Sequence, residues 1–402
     1  MNRTILHSDL NNFYASVEML LNPDLRGKAI AVCRTSDERH GVVLAKSELA
    51  KKAGVRTAMV AWEAKRLCPE LIFVPPHHEE YHKYSHMVHE IYWRYTDLVE
   101  PYGLDECFLD VTESRLLLGD GMQIAEDIRN TVKRELGLTV SIGVSFNKAF
   151  AKLGSDMKKP DAVTRITPEN FQQLVWPLPA SELLYVGKRT GSRLKSLQIQ
   201  TIGELAAASP EFLEQELGSA GRLLHRYACG EDDAPVLHKD ARPPSKSTGH
   251  GHTFSADLTT EAQVSKAILS LSVSVARELR KENQSAGGVQ LAIRDSKLVT
   301  RQFQTQLEFP TQDYLILSRV AQQLFQKHYR WAQNVRSVTV RAIQLTDAID
   351  AQPINFFADT KKIEQRDRLE RAADQLEKRF GNAVLTPAAL LKKKSGGKPR
   401  RG

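Results

Sequence analysis

Residues 7–18, HSDLNNFYASVE, place one aspartate, Asp9, between a predicted strand at 3–8 and a predicted helix at 11–21. The helix is predicted because its apolar residues recur at helical spacing. An aspartate at this junction can cap the helix, or it can supply a carboxylate to a site at the edge of a sheet. This stretch alone is compatible with both roles.

Two more carboxylates, Asp105 and Glu106, stand at the head of a second predicted strand, 107–112. If this strand lies beside the strand 3–8 in one sheet, three carboxylates meet at one edge. Such a group raises its own pKa values unless a cation neutralises it, and Mg²⁺ prefers carboxylate and backbone oxygens. Two such ions could activate a hydroxyl group and stabilise a leaving pyrophosphate. The pair can also be ordinary turn residues.

Strands and crossover helices around these acids predict a ferredoxin-like sheet in a multidomain protein of the α/β (α+β) class. The segment 28–75 is predicted to be an insertion on this sheet. The predicted strands are 29–33, 71–74, 139–146 and 162–166, and the predicted helices are 44–53, 61–67, 79–97, 122–136 and 148–157.

Short helices broken by glycines at 167–235 and a proline-containing linker at 236–248 lead to a second α/β unit at 249–347. The segment 348–402 is expected to contain an extended stretch, a charged helix at 361–380 and a basic tail. Within the second unit we predict helices at 261–283 and 312–330 and strands at 288–294, 300–309 and 335–345.

The 402 residues carry a formal net charge of +8, which favours a polyanionic partner. Residues 385–402 account for +6 of this charge and the other 384 residues for +2, so a nucleic-acid surface elsewhere requires local clustering. The four cysteines form no CxxC pair, which disfavours disulfide scaffolds and structural zinc. Because we find no membrane-spanning run and no secretory signal, we expect a cytoplasmic protein.

Three stretches, in this order, resemble the catalytic motifs of Y-family DNA polymerases, most closely the DinB-type, DNA polymerase IV-like branch. They are residues 7–18, residues 104–112, LDECFLDVT, and residues 145–160, SFNKAFAKLGSDMKKP. The resemblance extends over residues 1–347. It implies a palm at 1–27 and 76–166, fingers at 28–75, a helix-hairpin-helix thumb at 167–235, a linker at 236–248 and a little finger domain at 249–347.

The resemblance also implies a metal site. Asp9, Asp105 and Glu106, with the backbone carbonyl of Leu10, would bind two Mg²⁺ ions. Asp9 and Asp105 would contact both ions, and Glu106 would bind the ion that activates the primer 3′-hydroxyl.

A nucleotide site is implied next to these ligands. Phe13 would pack under the incoming nucleotide, and Tyr14 would be the steric gate that excludes a 2′-hydroxyl. Lys159, and Lys51 in the fingers, would meet the triphosphate. Tyr14 can also be a core aromatic residue, and Lys159 can be a solvated lysine at a helix end.

Four positions depart from the family pattern. Asn11 stands where an acid is frequent, and Gly103 stands where a serine is common. Glu48 and Lys51 stand where a tyrosine and an arginine usually touch the triphosphate. Lys51 still offers a positive charge but loses bidentate geometry, and an ionised Glu48 cannot donate to phosphate. The finger contacts therefore differ here, or the nucleotide is bound less tightly.

Two further segments are expected to hold DNA. Residues 184–191, LYVGKRTG, resemble a helix-hairpin-helix turn, although glycines can also simply end helices. The little finger, taken as 242–347, has 14 Lys+Arg and 8 acids, a pattern that also fits a solvated face. The residues expected to contact DNA are Gly187, Lys188, Gly191, Arg294, Arg301, Arg336 and Arg341.

Residues 352–357, QPINFF, resemble a peptide that binds a sliding clamp, through Gln352, Phe356 and Phe357. Asn355 replaces the usual leucine, so the affinity would be reduced. The same residues also fit an inert linker, because short motifs occur often by chance.

We therefore expect a monomeric, template-directed DNA polymerase that bypasses lesions, copies with low fidelity and lacks proofreading. Its substrates would be primed DNA and dNTPs, and its cofactor two Mg²⁺ ions per active site. One alternative is a palm-fold nucleotidyl cyclase, which shares the acidic site but has no use for the later domains. The other is a catalytically impaired relative that binds DNA and docks on the clamp.

Overall fold

The computed structural model of the chain describes residues 3–34, 41–241, 244–348, 360–381 and 388–390. It contains two compact units, Met1–Ala241 and Arg242–Gly402. The described residues of the first unit form a five-stranded and a three-stranded sheet, and those of the second unit form a four-stranded sheet. None of the helices in these described residues is long and apolar enough to cross a membrane.

The first unit alternates strands and helices and ends in a run of short helices. Its strands are β1 (Ile5–Leu10), β2 (Ile30–Val32), β3 (Ala45–Lys46), β4 (Ile72–Val74), β5 (Val99–Pro101), β6 (Glu106–Asp110), β7 (Val140–Ser145) and β8 (Val163–Arg165). Its helices are α1 (Phe13–Leu21), α2 (Glu48–Lys52), α3 (Ala61–Leu67), α4 (His78–Tyr92), α5 (Arg115–Leu118), α6 (Gly121–Leu136), α7 (Lys148–Met157), α8 (Phe171–Val175), α9 (Lys188–Ser196), α10 (Ile202–Ala207), α11 (Pro210–Leu217) and α12 (Ser219–Ala228).

The main sheet of this unit has the strand order β5-β6-β1-β7-β8. All six residues of β1 are buried, as befits a central strand covered on both faces. Helices α4 and α6 pack on one face, and α7 packs closely against β1 and β7. Gly143 permits this approach, because a Cβ atom there would lie 1.9 Å from the Ala151 carbonyl oxygen. The predicted placement of the strands 3–8 and 107–112 beside each other in one sheet is confirmed, because β1 pairs with β6.

Two predicted helices in this unit are shorter than the sequence suggested. The helix predicted at 79–97 ends at Tyr92, and the chain then turns so that Thr96 donates to the Asp110 carbonyl. The helix predicted at 44–53 begins only at Glu48. The residues before it form β3 because Ser47 accepts hydrogen bonds from Ile30 N and Ala50 N, which ties β3 to β2 and caps α2. The insertion has its own core of eight buried residues, Ala29, Ala31, Val43, Ala50, Val55, Ala64, Cys68 and Leu71.

The predicted linker at 236–248 is wrong at both of its ends. Val236 is 4% exposed and packs with Ile5, Phe108 and Ala151 on the main sheet. Glu100 accepts a hydrogen bond from Leu237 N at 2.9 Å, so this segment returns to the sheet. The prolines and charged residues of this segment suggested a linker, because its contacts with the sheet depend on only one buried valine and one carboxylate acceptor.

The second unit is a two-layer α/β structure. Its elements are β9 (Ser247–Leu258), α13 (Glu261–Lys281), β10 (Gln284–Asp295), β11 (Thr300–Thr311), α14 (Tyr314–His328), β12 (Val335–Asp347) and α15 (Thr360–Phe380). The antiparallel sheet has the order β11-β10-β12-β9, and α13 and α14 cover one face. Helix α15 contacts α13 through Arg280, which binds Glu370 and Asp374.

Strand β9 was missed by the sequence analysis, which placed its first residues in the linker. Its sequence, STGHGHTFSADL, lacks the apolar alternation that predicts a strand, and most of its residues are at least partly exposed. Among the strands of the described residues it is an edge strand, paired with β12. Gly251 leaves room for its neighbour, because a Cβ atom there would lie 2.4 Å from Thr339 Oγ1. Tertiary pairing therefore overrides a weak local pattern.

Candidate active site

The register of β1 and β6 brings the predicted carboxylates together. Asp9 pairs directly with Glu106, and Asp105 precedes β6 by one residue. The Leu10 amide donates to the Asp105 carbonyl at 2.9 Å, which fixes the chain around both acids. The four predicted metal-binding residues therefore lie at one end of the central strand pair.

Two lysine ammonium groups lie on these carboxylates. Lys159 Nζ donates to Asp9 Oδ2 at 2.8 Å, and Lys152 Nζ donates to Glu106 Oε1 at 3.0 Å. Asp156 binds both lysines, at 2.8 Å and 3.1 Å. Lys159 was predicted as a site residue, whereas Lys152 and Asp156 were not singled out. Their position on the third resembled motif could have indicated them.

The acids at this edge differ in their proton affinity. Burial raises the pKa of Asp9, despite the neighbouring Lys159. Burial, and then the charge of Glu106, raise the pKa of Asp105. Burial also opposes ionisation of Glu106, but His7 and Lys152 outweigh it and lower its pKa. The cluster therefore favours an additional cation, which would allow all three acids to ionise.

His7 lies directly beneath Glu106. Its ring is fully buried, and burial lowers its pKa to about 4. Ser155 Oγ donates to the Lys152 carbonyl and therefore accepts from His7 Nδ1 at 2.8 Å. His7 Nε2 lies 3.7 Å from Glu106 Oε2, which is beyond hydrogen-bond distance. His7 is therefore a buried support beneath the acidic cluster.

The donor set fits hard divalent ions, although the side chains are not gathered around one. Across the described residues, no three His, Cys, Asp or Glu side chains converge tightly enough to hold a metal ion. Lysine ammonium groups instead neutralise Asp9 and Glu106. Carboxylate oxygens at a sheet edge are the ligands that Mg²⁺ prefers.

A pocket of about 400 Å³ opens beside Asp9 and Asp105. Its volume is in the range of small-molecule sites. The floor includes Phe13, which is 3% exposed, and Tyr14, which is half-buried. The pocket is lined by Asp9, Leu10, Asn11, Asn12, Phe13, Tyr14, Leu44, Ala45, Lys46, Glu48, Lys51, Thr57, Asp105 and Lys159.

Tyr14 rests on a polar network that the sequence analysis did not anticipate. Its ring stacks on that of Tyr81, which is fully buried in α4. The Tyr81 hydroxyl donates to the carboxylate of Glu18, which is itself buried. His77 Nδ1 lies 3.0 Å from the same carboxylate. The predicted steric-gate residue is therefore backed by a ring whose position is tied to a buried acid.

The two departures in the fingers are paired with each other and with the end of β1. Glu48 Oε1 accepts a hydrogen bond from Asn12 Nδ2 at 3.0 Å and lies 3.6 Å from Lys51 Nζ. Asn12 can reach it because it adopts a left-handed conformation, with φ of 50°. Glu48 is thus engaged with the protein, and Lys51 reaches the pocket beside it.

Asn11, where the family often has an acid, has a structural partner set. Its side-chain amide Nδ2 donates to Ser141 Oγ at 2.9 Å, and its side-chain oxygen Oδ1 accepts from Asp161 N at 2.8 Å. The second bond holds the turn that follows Lys159. An ionised carboxylate here could only accept, so the Ser141 hydroxyl would have to donate instead.

The predicted hairpin turn at 184–191 leads directly into α9, whose first residue is Lys188. Gly187 is the N-cap of α9, and Gly187 and Lys188 are both exposed. Gly191 differs from the prediction, because its amide already donates to the Gly187 carbonyl at 2.8 Å. The amides free to bind a phosphate are those before Gly191.

The open face of the second sheet gathers two of the four predicted arginines. Arg294 and Arg341 line a shallow depression of about 250 Å³ on this face. Arg301 lies opposite Ile293 on the neighbouring strand, and the Ile293 side chain is in the core. Because directly opposed residues point to the same face, Arg301 lies on the helix-covered face, where it binds Asp295 at 3.1 Å. Arg336 sits at a bulge beside the buried Val335 and outside this depression. The predicted clamp residues Gln352, Phe356 and Phe357 lie outside the described residues.

Known proteins resemble this chain along nearly its whole length. Residues 8–156 match the impB/mucB/samB family, and residues 245–355 match the C-terminal domain of that family. The chain is 46% identical to the DNA polymerase IV of Acetivibrio thermocellus, over 97% of this chain and 98% of that protein. It is 36% identical to the DNA polymerase IV 1 of Bacillus subtilis, over 97% of this chain and 94% of that protein.

A solved structure agrees with these relatives. The Y-family DNA polymerase chimera of Dbh and Dpo4 matches with a TM-score of 0.75 at 25% identity, over 86% of this chain and 99% of that one. Fold, acidic edge and relatives therefore agree with the three resembled motifs. The chain belongs to the Y family of DNA polymerases, in its DinB-type, DNA polymerase IV-like branch.

Proposed function

We propose that this DNA-directed DNA polymerase is a translesion enzyme that transfers dNMP from a dNTP to a primer 3′-hydroxyl with two Mg²⁺ ions. It copies with low fidelity, lacks proofreading and acts as a cytoplasmic monomer. Its partners are primed DNA and, through residues 352–357, a sliding clamp. The observation that carries the proposal is the pairing of Asp9 with Glu106, with Asp105 alongside, at the edge of a nucleotide-sized pocket.

Asp9, Asp105, Glu106 and the Leu10 carbonyl would hold the two ions. When bound, the ions would activate the attacking hydroxyl and stabilise the leaving pyrophosphate. Lys152 and Lys159 would exchange part of their present contacts for the substrate, because they now neutralise the same carboxylates. Lys159 then offers its ammonium group to the triphosphate.

Tyr14 supports a preference for deoxynucleotides. Its half-buried ring borders the pocket next to Phe13, and a ring fixed there clashes with a 2′-hydroxyl group. The small size of the insertion at 28–75 favours low fidelity, because so short a segment leaves little protein to inspect a nascent base pair. The exposed turn at Gly187 and the arginines Arg294 and Arg341 would hold the DNA backbone without choosing its sequence.

The alternatives explain fewer observations. A nucleotidyl cyclase would have no use for the open, arginine-bearing face of the second sheet. A non-catalytic relative would not need three intact carboxylates at the pocket. The departures at Asn11 and Glu48 have structural partners and leave the metal ligands untouched.

Primer extension with Mg²⁺ and either dNTPs or NTPs tests the proposal. Wild type should incorporate dNMP only, and Glu106→Ala should lower kcat/KM by about a thousandfold, or ~4 kcal/mol of transition-state stabilisation. Tyr14→Ala should raise NTP incorporation by about a hundredfold, since it removes the clash. Glu113→Ala, an exposed acid beyond β6, is the control and should behave like wild type. A wild-type protein that extends no primed template, or a fully active Glu106→Ala variant, would refute the proposal.

A further inference from the structure

Three lysines line the nucleotide pocket, and one of them was not expected there. Lys51 and Lys159 are implied by the family resemblance, whereas Lys46 lies at the end of β3. Its neighbour Ser47 is held by Ile30, so the backbone at this position is fixed in the insertion. The pocket thus receives positive charge from the fingers at a second point.

Lys46 differs from the other two lysines in its partners. Lys51 lies 3.6 Å from Glu48, and Lys159 donates to Asp9 at 2.8 Å. Among the described residues, no carboxylate lies within ion-pairing distance of Lys46. Its ammonium group instead donates to Thr57 Oγ1 at 3.1 Å, and Thr57 also lines the pocket.

A half-buried ammonium group whose hydrogen-bond partner is neutral has no opposite charge beside it to compensate its own. Burial, and then the neighbouring charge of Lys51, lower the pKa of Lys46. An anionic oxygen attracts an ammonium group more strongly than a neutral hydroxyl does, because the two opposite charges also attract each other, so it would displace Thr57. Lys51 and Lys159 also line this pocket, so the phosphates of a bound nucleotide would meet ammonium groups from two further points.

We propose that Lys46 binds the β- and γ-phosphates of the incoming nucleotide and, together with Lys51, takes over the role that a tyrosine and an arginine usually have at the positions of Glu48 and Lys51. Glu48 is engaged with Asn12 and cannot serve a phosphate. Lys46 supplies positive charge to the pocket from the neighbouring strand β3. The inference rests on the proposed polymerase function and adds a residue to its nucleotide site.

Single-nucleotide incorporation by the full-length protein tests this role. Lys46→Met keeps the aliphatic stem and removes the charge, and it should raise the KM for dNTP about tenfold, since the variant loses a charge-assisted hydrogen bond. The kcat should change little, because a contact made equally in the ground and transition states affects KM. Lys46→Arg should restore most of the affinity. Lys52→Met, on the exposed side of α2, is the control and should keep the wild-type KM.

Inorganic tripolyphosphate separates a phosphate contact from a contact to base or sugar. It should inhibit wild type and Lys52→Met equally, and Lys46→Met several-fold more weakly. An unchanged KM, an unchanged inhibition constant, or weaker binding of primed DNA by Lys46→Met would overturn the assignment. A melting temperature equal to that of wild type shows that the variant is folded. A wild-type protein without any dNTP incorporation would refute the polymerase proposal itself, which separates the two failures.

Discussion

Tyr14 lies face to face on Tyr81, with ring centroids 3.9 Å apart and ring planes inclined by 10°. Tyr81 belongs to α4, far from Tyr14 in sequence, and the buried Glu18 accepts its hydroxyl hydrogen. A side chain that excludes one hydroxyl group must keep a fixed position, because a ring that moves aside would admit the hydroxyl. The stacked partner therefore positions the proposed steric gate.

Replacing Tyr81 should weaken sugar discrimination. Tyr81→Leu should lower the ratio of kcat/KM for dNTP to that for NTP about tenfold, because an aromatic pair contributes ~0.5–1.5 kcal/mol beyond its burial. Tyr81→Phe keeps the ring and should retain most of the discrimination. Tyr84→Leu removes a partly buried tyrosine of the same helix and serves as the control. The positioning role is lost if Tyr81→Leu lowers both kcat/KM values in proportion and leaves their ratio intact.

Removing the negative charge of Glu48 should tighten nucleotide binding. Glu48→Gln can still accept from Asn12 but no longer attracts Lys51, which now lies 3.6 Å away. The KM for dNTP should fall by up to about fivefold, the change expected when an exposed ion pair worth at most ~1 kcal/mol is released. Glu63→Gln, on α3, provides the comparison at equal net charge. A rise in KM would show that Glu48 assists the nucleotide.

Replacing arginines on the two faces of the second sheet should have different effects on DNA binding. Arg294→Gln and Arg341→Gln should each weaken binding of primed DNA and lower the slope of log affinity against log salt by about 0.9, the value for one phosphate contact. Arg301→Gln should leave the slope unchanged and instead lower the melting temperature, because it leaves the buried Asp295 without its ion pair. Equal slopes for all three variants would contradict the assignment of the faces. Fluorescence anisotropy over a salt series and thermal unfolding supply the two measurements.

The segment after α12 should stabilise the first unit. Val236→Ala leaves a cavity against Ile5 and Phe108, and it should cost about 1–3 kcal/mol in the free energy of unfolding. Trypsin should also cleave faster after Lys239, whose amide donates to the Asp97 carbonyl at 2.9 Å. Leu116→Ala, at an 85% exposed leucine of the same unit, is the control. Identical denaturation curves and cleavage rates would show that the segment does not stabilise the first unit.

Sequence reasoning succeeded where a local pattern carried the information. The helix predicted at 148–157 is found at Lys148–Met157, because its apolar residues keep helical spacing up to the turn before Lys159. It failed where long-range contacts decided the structure. Strand β9 has almost no apolar alternation and forms because β12 offers an unpaired edge. Lys46 escaped notice because a single lysine in a short strand has no pattern.

The sequence by itself determined the acidic residues, the neighbouring aromatic residues Phe13 and Tyr14, and the family. These features lie in contiguous motifs, whose order and residue types are visible without a structure. Only the tertiary structure decided which side chains meet. The antiparallel register placed Asp9 opposite Glu106, and the sheet faces separated Arg341 from Arg301. A one-residue change of register would exchange the two faces, so such pairings depend on the packing of the whole sheet.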